Sequence, residues 1–200
     1  MNTDTASNIN TTIDLEMVQR FLANPESTDL NGAVEITDQA AQALVAYDGA
    51  LYLNGLAKLS EVAALALAAH QGELYLKGLT ELTNQLLARA LVACRSNHSL
   101  IDLGRLTKVS DAAAQALATH QGFLCLSGLT EISEGVAQAL STHQGILFLS
   151  GLTEISCKVA QSLATHQGHL YLSGLTEISD EVAQALATHQ GDVNLDPLPK

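Results

Sequence analysis

A 23-residue repeat is the feature that most constrains what this chain can fold into. The segment LYLSGLTEISDEVAQALATHQGD at 170–192 recurs as LFLSGLTEISCKVAQSLATHQGH at 147–169. The same pattern runs through seven units, of which the first is degenerate and the third is 27 residues long: 28–50, 51–73, 74–100, 101–123, 124–146, 147–169 and 170–192. A strict period of this length is typical of stacked repeats, in which each unit buries its apolar stripe against the next.

Each unit carries the pattern of one short strand and one short helix. The triplet LYL at 170–172 alternates apolar and variable residues, which predicts a strand with one buried face. Gly174 then permits a close backbone approach, and Ser179 is a favourable helix N-cap. The apolar stripe of the helix recurs at Ile178, Val182 and Leu186. Gly191 is placed to end that helix as its C′ residue.

One strand and one helix per unit predict an α/β fold of stacked coils. Strands about 4.8 Å apart would form a parallel sheet on one side of the stack. Because helices are bulkier than strands, the stack would curve with the sheet inside. We expect one unbroken arc whose strand leucines point inward, next to the isoleucines that precede each helix: Leu126, Leu149 and Leu172, with Ile132, Ile155 and Ile178.

The unit also resembles a known family. The string L-x-L-x-x-L-x-x-I-[ST]-[DE], as in LYLSGLTEISD, is similar to the cysteine-containing leucine-rich repeat, and VEITD at 34–38 comes closest to the end of that pattern. The short, Ala-rich unit also resembles repeat arrays of planctomycete-type bacteria. The resemblance implies a solenoid of right-handed β-α coils with a parallel concave sheet and short convex helices. Leucine replaces the family's Cys or Asn, so a different ladder must satisfy the backbone at Leu56, Leu79, Leu106, Leu129, Leu152 and Leu175.

The two ends of the array differ from its units. Residues 1–27 are predicted to be a disordered start and an N-terminal capping helix, because 13–22 has helical apolar spacing and stops before a proline. Residues 193–200 begin an eighth copy as a terminal strand and a tail. An uncovered strand edge invites pairing, which Pro197 and Pro199 blunt only partly, so we expect weak homodimerisation there.

Composition argues against several classes of function. The net charge of −12 disfavours nucleic acid and anionic membranes, which require clustered Lys and Arg. The sequence shows no signal peptide and no run long enough for a membrane span, so we expect a cytoplasmic protein. The three cysteines, Cys94, Cys125 and Cys157, form no CxxC pair and are odd in number, which argues against a disulfide framework.

A row of histidines occupies one position of the repeat, which Tyr47 holds in the first unit: His70, His120, His143, His166 and His189. Successive rings about 5 Å apart suggest either a metal site or a structural ladder. Each histidine precedes Gln-Gly at a helix end on the buried stripe, and a metal site would be expected to break this regularity. We favour the structural ladder and predict neither a metal nor a cofactor.

The strands supply the candidate binding surface, because ligands of the resembled family contact the variable residues beside the strand leucines. The central column holds Asp29, Tyr52, Tyr75, Asp102, Cys125, Phe148, Tyr171 and Asn194. The column before each strand holds Ala50, Glu73, Leu100, Phe123, Ile146, His169 and Asp192. Five of the chain's seven aromatic residues fall in these columns, which indicates either a docking surface or cross-strand stacking that braces the sheet.

The regularity breaks once, near the centre, where RSNHS at 95–99 replaces HQG. Six of the nine basic residues lie between 58 and 108. Neutral drift in a tolerant unit would explain this, and so would a local site with added charge. The predicted partner-binding set is Tyr52, Tyr75, Lys77, Asp102, Arg105, Phe123, Cys125, Phe148 and Tyr171.

These patterns favour a non-catalytic scaffold that binds a protein or peptide. Ser, His and Asp recur in register along the stack but are separated within each unit, and no Gly-rich phosphate loop or HExxH string is present. Neither Cys125 nor Cys157 has a His and an acidic partner suggested by the pattern. The alternative is a structural repeat unit that self-associates through its C-terminal end.

Overall fold

Short strands and short helices alternate along the chain, which confirms the predicted α/β class. The computed structural model describes residues 12–93 and 100–195. The predictions for the start before residue 12, for Cys94 and the irregular segment 95–99, and for the two tail prolines concern residues outside these ranges. Within the described ranges, no helix combines the length and the apolar character needed to cross a membrane.

The described residues form eight α-helices and one short 3-10 helix at Pro25–Ser27. The α-helices are α1 (Leu15–Ala23), α2 (Asp38–Leu44), α3 (Glu61–Ala68), α4 (Gln85–Ala93), α5 (Asp111–Leu117), α6 (Glu134–Leu140), α7 (Cys157–Leu163) and α8 (Asp180–Leu186). The strands are β1 (Thr12–Ile13), β2 (Glu35–Ile36), β3 (Leu51–Tyr52), β4 (Leu74–Tyr75), β5 (Glu81–Leu82), β6 (Leu100–Asp102), β7 (Lys108–Val109), β8 (Gln121–Cys125), β9 (Gln144–Phe148), β10 (Leu170–Tyr171) and β11 (Val193–Asn194).

Parallel pairing joins strands of successive units. In the five-stranded sheet, ordered β11-β10-β9-β8-β6, Phe148 faces Tyr171, its equivalent one repeat later. The β3–β4 pair has the same register, with Tyr52 facing Tyr75. A second set of pairs, β1–β2 and β5–β7, lies just before the helices. Side chains at one repeat position are therefore brought side by side.

Hydroxyl side chains determine where most helices begin. The Ser179 hydroxyl accepts a hydrogen bond of 3.3 Å from the backbone N–H of Val182, which confirms the predicted N-cap. The same cap is made by Thr37, Ser60, Ser110, Ser133 and Ser156. Each cap satisfies one of the free N–H groups at a helix start, which is worth about 1 kcal/mol.

Helix α8 ends at Leu186, so the prediction that Gly191 is its C′ residue is wrong. The Thr188 N–H donates to the Ala185 carbonyl, and the Thr188 hydroxyl donates to the same oxygen at 2.7 Å. Such short-range bonds tighten the last turn and satisfy its carbonyl groups without a glycine. Gly191 instead lies against the carbonyl oxygen of Gly168, where a side chain would collide with the backbone.

The strand leucines and one face of each helix form a continuous apolar core. Leu126, Leu149 and Leu172 are fully buried, as predicted. The isoleucines beside them pack against the core and are partly buried: Ile132, Ile155 and Ile178. Small residues such as Ala137 and Ala160 complete the core on the helices. Because the units contribute apolar side chains at equivalent positions, neighbouring layers cover each other.

A turn satisfies the backbone at the position where the resembled family has Cys or Asn. The Leu175 N–H donates to the Leu172 carbonyl at 3.1 Å. The equivalent bond is made by Leu56, Leu79, Leu106, Leu129 and Leu152. This turn brings Gly174 against the carbonyl oxygen of Ser150 in the preceding unit, so only glycine fits there.

The entry segment has the strand–helix order of a unit rather than a helix alone. Ile13 lies in β1 and faces Ile36 of β2, which is the usual separation of 23 residues. Helix α1 begins at Leu15, after the N-cap Asp14, and therefore starts later than the predicted helix 13–22. The apolar residues of this segment include Ile13, which is buried in a strand, as well as those of the helix that follows. Their spacing alone did not distinguish the strand residue from the helix.

Candidate binding surface

Five aromatic side chains project from the strands opposite the buried leucines, and we call them the aromatic row. They are Tyr52, Tyr75, Phe123, Phe148 and Tyr171. The alternation of a strand sends one side chain into the core and the next outward. Leu51 is 1% exposed, whereas its neighbour Tyr52 is 53% exposed. Large apolar surface is therefore left open by the same strand geometry that buries the leucines.

The aromatic row forms two separate stacks. Tyr52 and Tyr75 lie with ring centroids 4.7 Å apart and planes at 10°. Phe148 stacks on Tyr171 at 4.6 Å and 21°, and Phe123 continues this stack at 6.4 Å from Phe148. Parallel in-register strands impose the near-parallel ring planes. Phe148 is covered on both faces, whereas Tyr52 and Phe123 at the ends of the stacks remain exposed.

An ion pair separates the two stacks. The Lys77 ammonium lies 2.6 Å from Asp102 Oδ2, and the hydrogen bond to this carboxylate raises the pKa of Lys77. The other carboxylate oxygen of Asp102 accepts from the backbone N–H of Gly104 at 3.0 Å, which fixes its orientation. The Lys77–Asp102 ion pair therefore lies between the aromatic stacks, and Arg105 is exposed in the turn that follows β6.

Tyr75 and Cys125 of the central column form polar contacts with nearby side chains. The Tyr75 hydroxyl donates to Glu73 Oε2 at 2.8 Å. Cys125 follows Asp102 in the central column, where its thiol lies 3.6 Å from the Ser127 hydroxyl. Cys157 is instead the first residue of α7, and neither it nor Cys125 is in a disulfide. The structure thus places Cys125 with the predicted binding residues and Cys157 away from them.

The histidine row lies just after the helices, and most of its members are buried. His70, His120, His143 and His166 are between 1% and 4% exposed, and His189 is partly exposed. Three successive pairs from His120 to His189 stack with ring centroids 5.8–6.2 Å apart. The Nε2 atom bonds to the carbonyl of a glycine in the preceding unit: Gly49 for His70, Gly122 for His143, Gly145 for His166 and Gly168 for His189.

These contacts determine the protonation state of the buried rings. A carbonyl can only accept, so Nε2 of His143 carries a hydrogen and donates it at 3.1 Å to Gly122. The Nδ1 atoms of His70, His143 and His166 are buried without a hydrogen-bond partner in the described part of the chain. Burial lowers the pKa of His143 and of His166. Both rings are thus held neutral near pH 7.

The row does not bring metal-binding groups together. No cluster of three or more His, Cys, Asp or Glu side chains suited to a metal ion occurs in residues 12–93 and 100–195. The rings from His120 to His189 are stacked face to face rather than converging on a point, and Nε2 of His70, His143, His166 and His189 already bonds to a carbonyl. The geometry corresponds to hydrogen bonds between successive units.

A cavity of about 260 Å³ at the N-terminal end of the aromatic row was not predicted. It is lined by the entry segment and the first strands, including Phe21, Glu26, Asp29, Leu30, Leu51 and Tyr52. One sequence signal pointed to it. Ala50 is the smallest residue in the column before the strands, where later units have side chains such as Leu100, Phe123 and Ile146.

No family model matches this chain, and no curated protein shows significant similarity to it. The chemistry of the strand surface is therefore the basis for the functional proposal.

Proposed function

We propose that the chain is a leucine-rich-repeat solenoid that binds a protein or peptide, without catalysis, on a concave face formed by the aromatic row. The in-register parallel pairing of equivalent residues supports the repeat architecture. So does the burial of the same leucine in successive units. In such an arc, the outward side chains of neighbouring strands form one continuous surface.

The observation that carries the proposal is the open aromatic row itself. Ring stacking also braces the sheet, but Tyr52 is 53% and Phe123 37% exposed, so much of these two side chains is left open to a partner. Exposed aromatic side chains grouped on one surface are typical of binding sites, and tyrosine is enriched among the residues that dominate binding energy.

The charges around the row indicate the kind of partner. The chain carries a net charge of −12, so a segment with basic character is attracted to it. Lys77 and Asp102 divide the row into two apolar platforms with a polar centre, and Arg105 adds an exposed positive charge in the turn after β6. An extended or helical segment with apolar anchors at both ends and polar residues between them would match this pattern. Neither nucleic acid nor a membrane is a partner in this proposal.

Peptide selection against the purified chain tests the proposal. Peptides from a random library are selected on the parent, and their Kd values are measured for the parent and for the Tyr75→Ala, Tyr171→Ala double variant. Loss of one aromatic anchor commonly costs about 1–4 kcal/mol of binding, so the double variant should bind at least about tenfold more weakly.

The matched control removes exposed apolar side chains from the helices instead. Leu65 and Leu86 are 41% and 51% exposed on α3 and α4, so the Leu65→Ala, Leu86→Ala variant tests for unspecific adhesion. This variant should retain parental affinity. If the selected peptides bind the tyrosine double variant as tightly as they bind the parent, the aromatic row is not the binding site and the proposal is wrong.

A further inference from the structure

We propose that the cavity at the N-terminal end of the aromatic row receives a Lys or Arg side chain of the bound segment. This inference rests on the proposed function, because it names one contact of the same partner. It is carried by three features of the cavity: an apolar floor, the exposed ring of Tyr52 and two carboxylates that form no ion pair with any residue in 12–93 or 100–195.

The cavity has the size and floor for one long side chain. Its volume of about 260 Å³ is below the range of about 300–1,000 Å³ that is usual for pockets of drug-sized ligands. Phe21, Leu30 and Leu51 are buried core residues that line it. Such a floor covers the methylene stem of Lys or Arg, while the charged head stays near the mouth.

Tyr52 lines the cavity and is 53% exposed, so its ring can meet that charged head. Tyr75 covers one face of the ring, at a centroid distance of 4.7 Å. Along the row the position before Tyr52 is occupied by Asp29, which is not aromatic and also lines the cavity. A cation over an aromatic face is attracted by the ring, and the attraction increases when the cation is shielded from water.

Two carboxylates make the cavity selective for positive charge. Glu26 and Asp29 both line it, and neither is in an ion pair within the described residues. Oδ1 of Asp29 accepts from the Asn31 N–H at 2.8 Å, which holds the carboxylate in place. An ion pair that is exposed to water contributes little, so the apolar floor and the tyrosine face are needed for useful affinity.

The cavity exists because the first unit lacks a side chain that later units have. Ala50 stands in the column that Ile146 occupies in the fifth unit. The segment just before the first unit forms the 3-10 helix Pro25–Ser27 rather than a strand. A side chain from the partner would fill the space that the chain fills for itself in the later units.

The test uses peptides selected on the parent chain as described above. Each Lys or Arg of a selected peptide is replaced in turn by norleucine, which keeps the apolar stem and removes the charge. Kd is measured against the parent, Glu26→Gln, Asp29→Asn and Ala50→Ile. Glu131→Gln, an exposed carboxylate in another part of the chain, is the charge-matched control.

We expect one basic position whose replacement weakens binding by about tenfold. The loss should shrink in Asp29→Asn or Glu26→Gln and remain complete in Glu131→Gln. Ala50→Ile keeps every charge but fills the cavity, so it should weaken binding of the unmodified peptide by a similar factor. Melting temperatures close to that of the parent would show that the three cavity variants are folded.

The outcomes separate this inference from the proposed function. If the peptides depend on Tyr75 and Tyr171 but no basic position couples to Glu26 or Asp29, the cavity assignment is wrong and the proposed function stands. If binding is independent of both tyrosines, the proposed function itself fails. A basic position that couples equally to Glu131 would indicate general attraction to an acidic protein and would also overturn the cavity assignment.

Discussion

Tyr52 and Tyr75 stack with ring planes only 10° apart because they face each other directly across the parallel β3–β4 pair. The 23-residue period thus controls contacts between side chains as well as between backbones. The same relationship joins Phe148 to Tyr171, while Lys77 and Asp102 occupy the intervening part of the row.

The outward tyrosines should contribute much less to folding than their buried neighbours. Tyr75→Ala removes a cross-strand contact worth about 0.2–1 kcal/mol, whereas Leu74→Ala leaves a cavity in the core at a cost of about 2–5 kcal/mol. Leu74 is fully buried and directly precedes Tyr75. Urea unfolding of both variants measures the difference. Equal losses would show that the aromatic row mainly braces the sheet.

The core should not tolerate a charge in the strand leucines. Leu149 is fully buried, and an unpaired carboxylate there costs several kcal/mol. Leu149→Asp should therefore unfold or lose much of its melting temperature, as circular dichroism would show. Thr153→Asp, at an exposed position of the same unit, is the control. A Leu149→Asp variant that melts like the parent would mean that the assigned strand phase is incorrect.

Two glycines should respond in opposite ways to alanine. A side chain at Gly151 would collide with the carbonyl oxygen of Ser127, whereas nothing lies close to Gly32. Gly151→Ala should destabilise the fold by about 1–3 kcal/mol, as overpacking does. Gly32→Ala should be neutral or slightly stabilising, because it restricts only the unfolded chain. Denaturant midpoints compare the two, and similar midpoints would contradict the close stacking of units.

The buried histidines should make stability depend on pH. Burial lowers the pKa of His143 and His166 below the ordinary value of 6.5, so the unfolded chain binds more protons than the folded chain below that value. The free energy of unfolding should be highest above pH about 6.5 and should fall as the pH decreases towards the folded-state pKa values.

Unfolding measured between pH 7.5 and pH 5 tests this dependence. His143→Gln should reduce its slope, although it also loses the hydrogen bond to the Gly122 carbonyl. His169→Gln is the control, because His169 is exposed and lies outside the histidine row. A His143→Gln variant with the full parental slope would show that this ring does not contribute to the pH dependence.

Much of the local structure followed from the sequence. Ser179 as an N-cap, a strand beginning at Leu170 and the burial of Leu172 were predicted correctly, although the strand ends at Tyr171. Each of these features depends on residues that are close together in the chain. Because the same pattern recurs in several units, its assignment does not depend on one copy alone. The alternation of the strand also indicated that Tyr171 points away from the core.

Other features were decided by what lies in the next unit. The sequence around Gly191 resembles a helix stop, but this residue instead lies against the carbonyl oxygen of Gly168 in the neighbouring unit. The aromatic row is divided by an ion pair between Lys77 and Asp102. These residues belong to the 27-residue unit and to the unit after it, and only the fold shows that they meet. The cavity beside Ala50 required the path of the entry segment.

The sequence by itself determined the period, the strand and helix within each unit, and the buried face of each strand. Tertiary structure decided which side chains meet across units, where a small side chain leaves space, and which nitrogen of His70, His143 and His166 carries its hydrogen. The physical reason is range: caps and alternation act over a few residues of chain, whereas stacking, cavities and desolvation depend on groups about 23 residues apart that only the fold brings together.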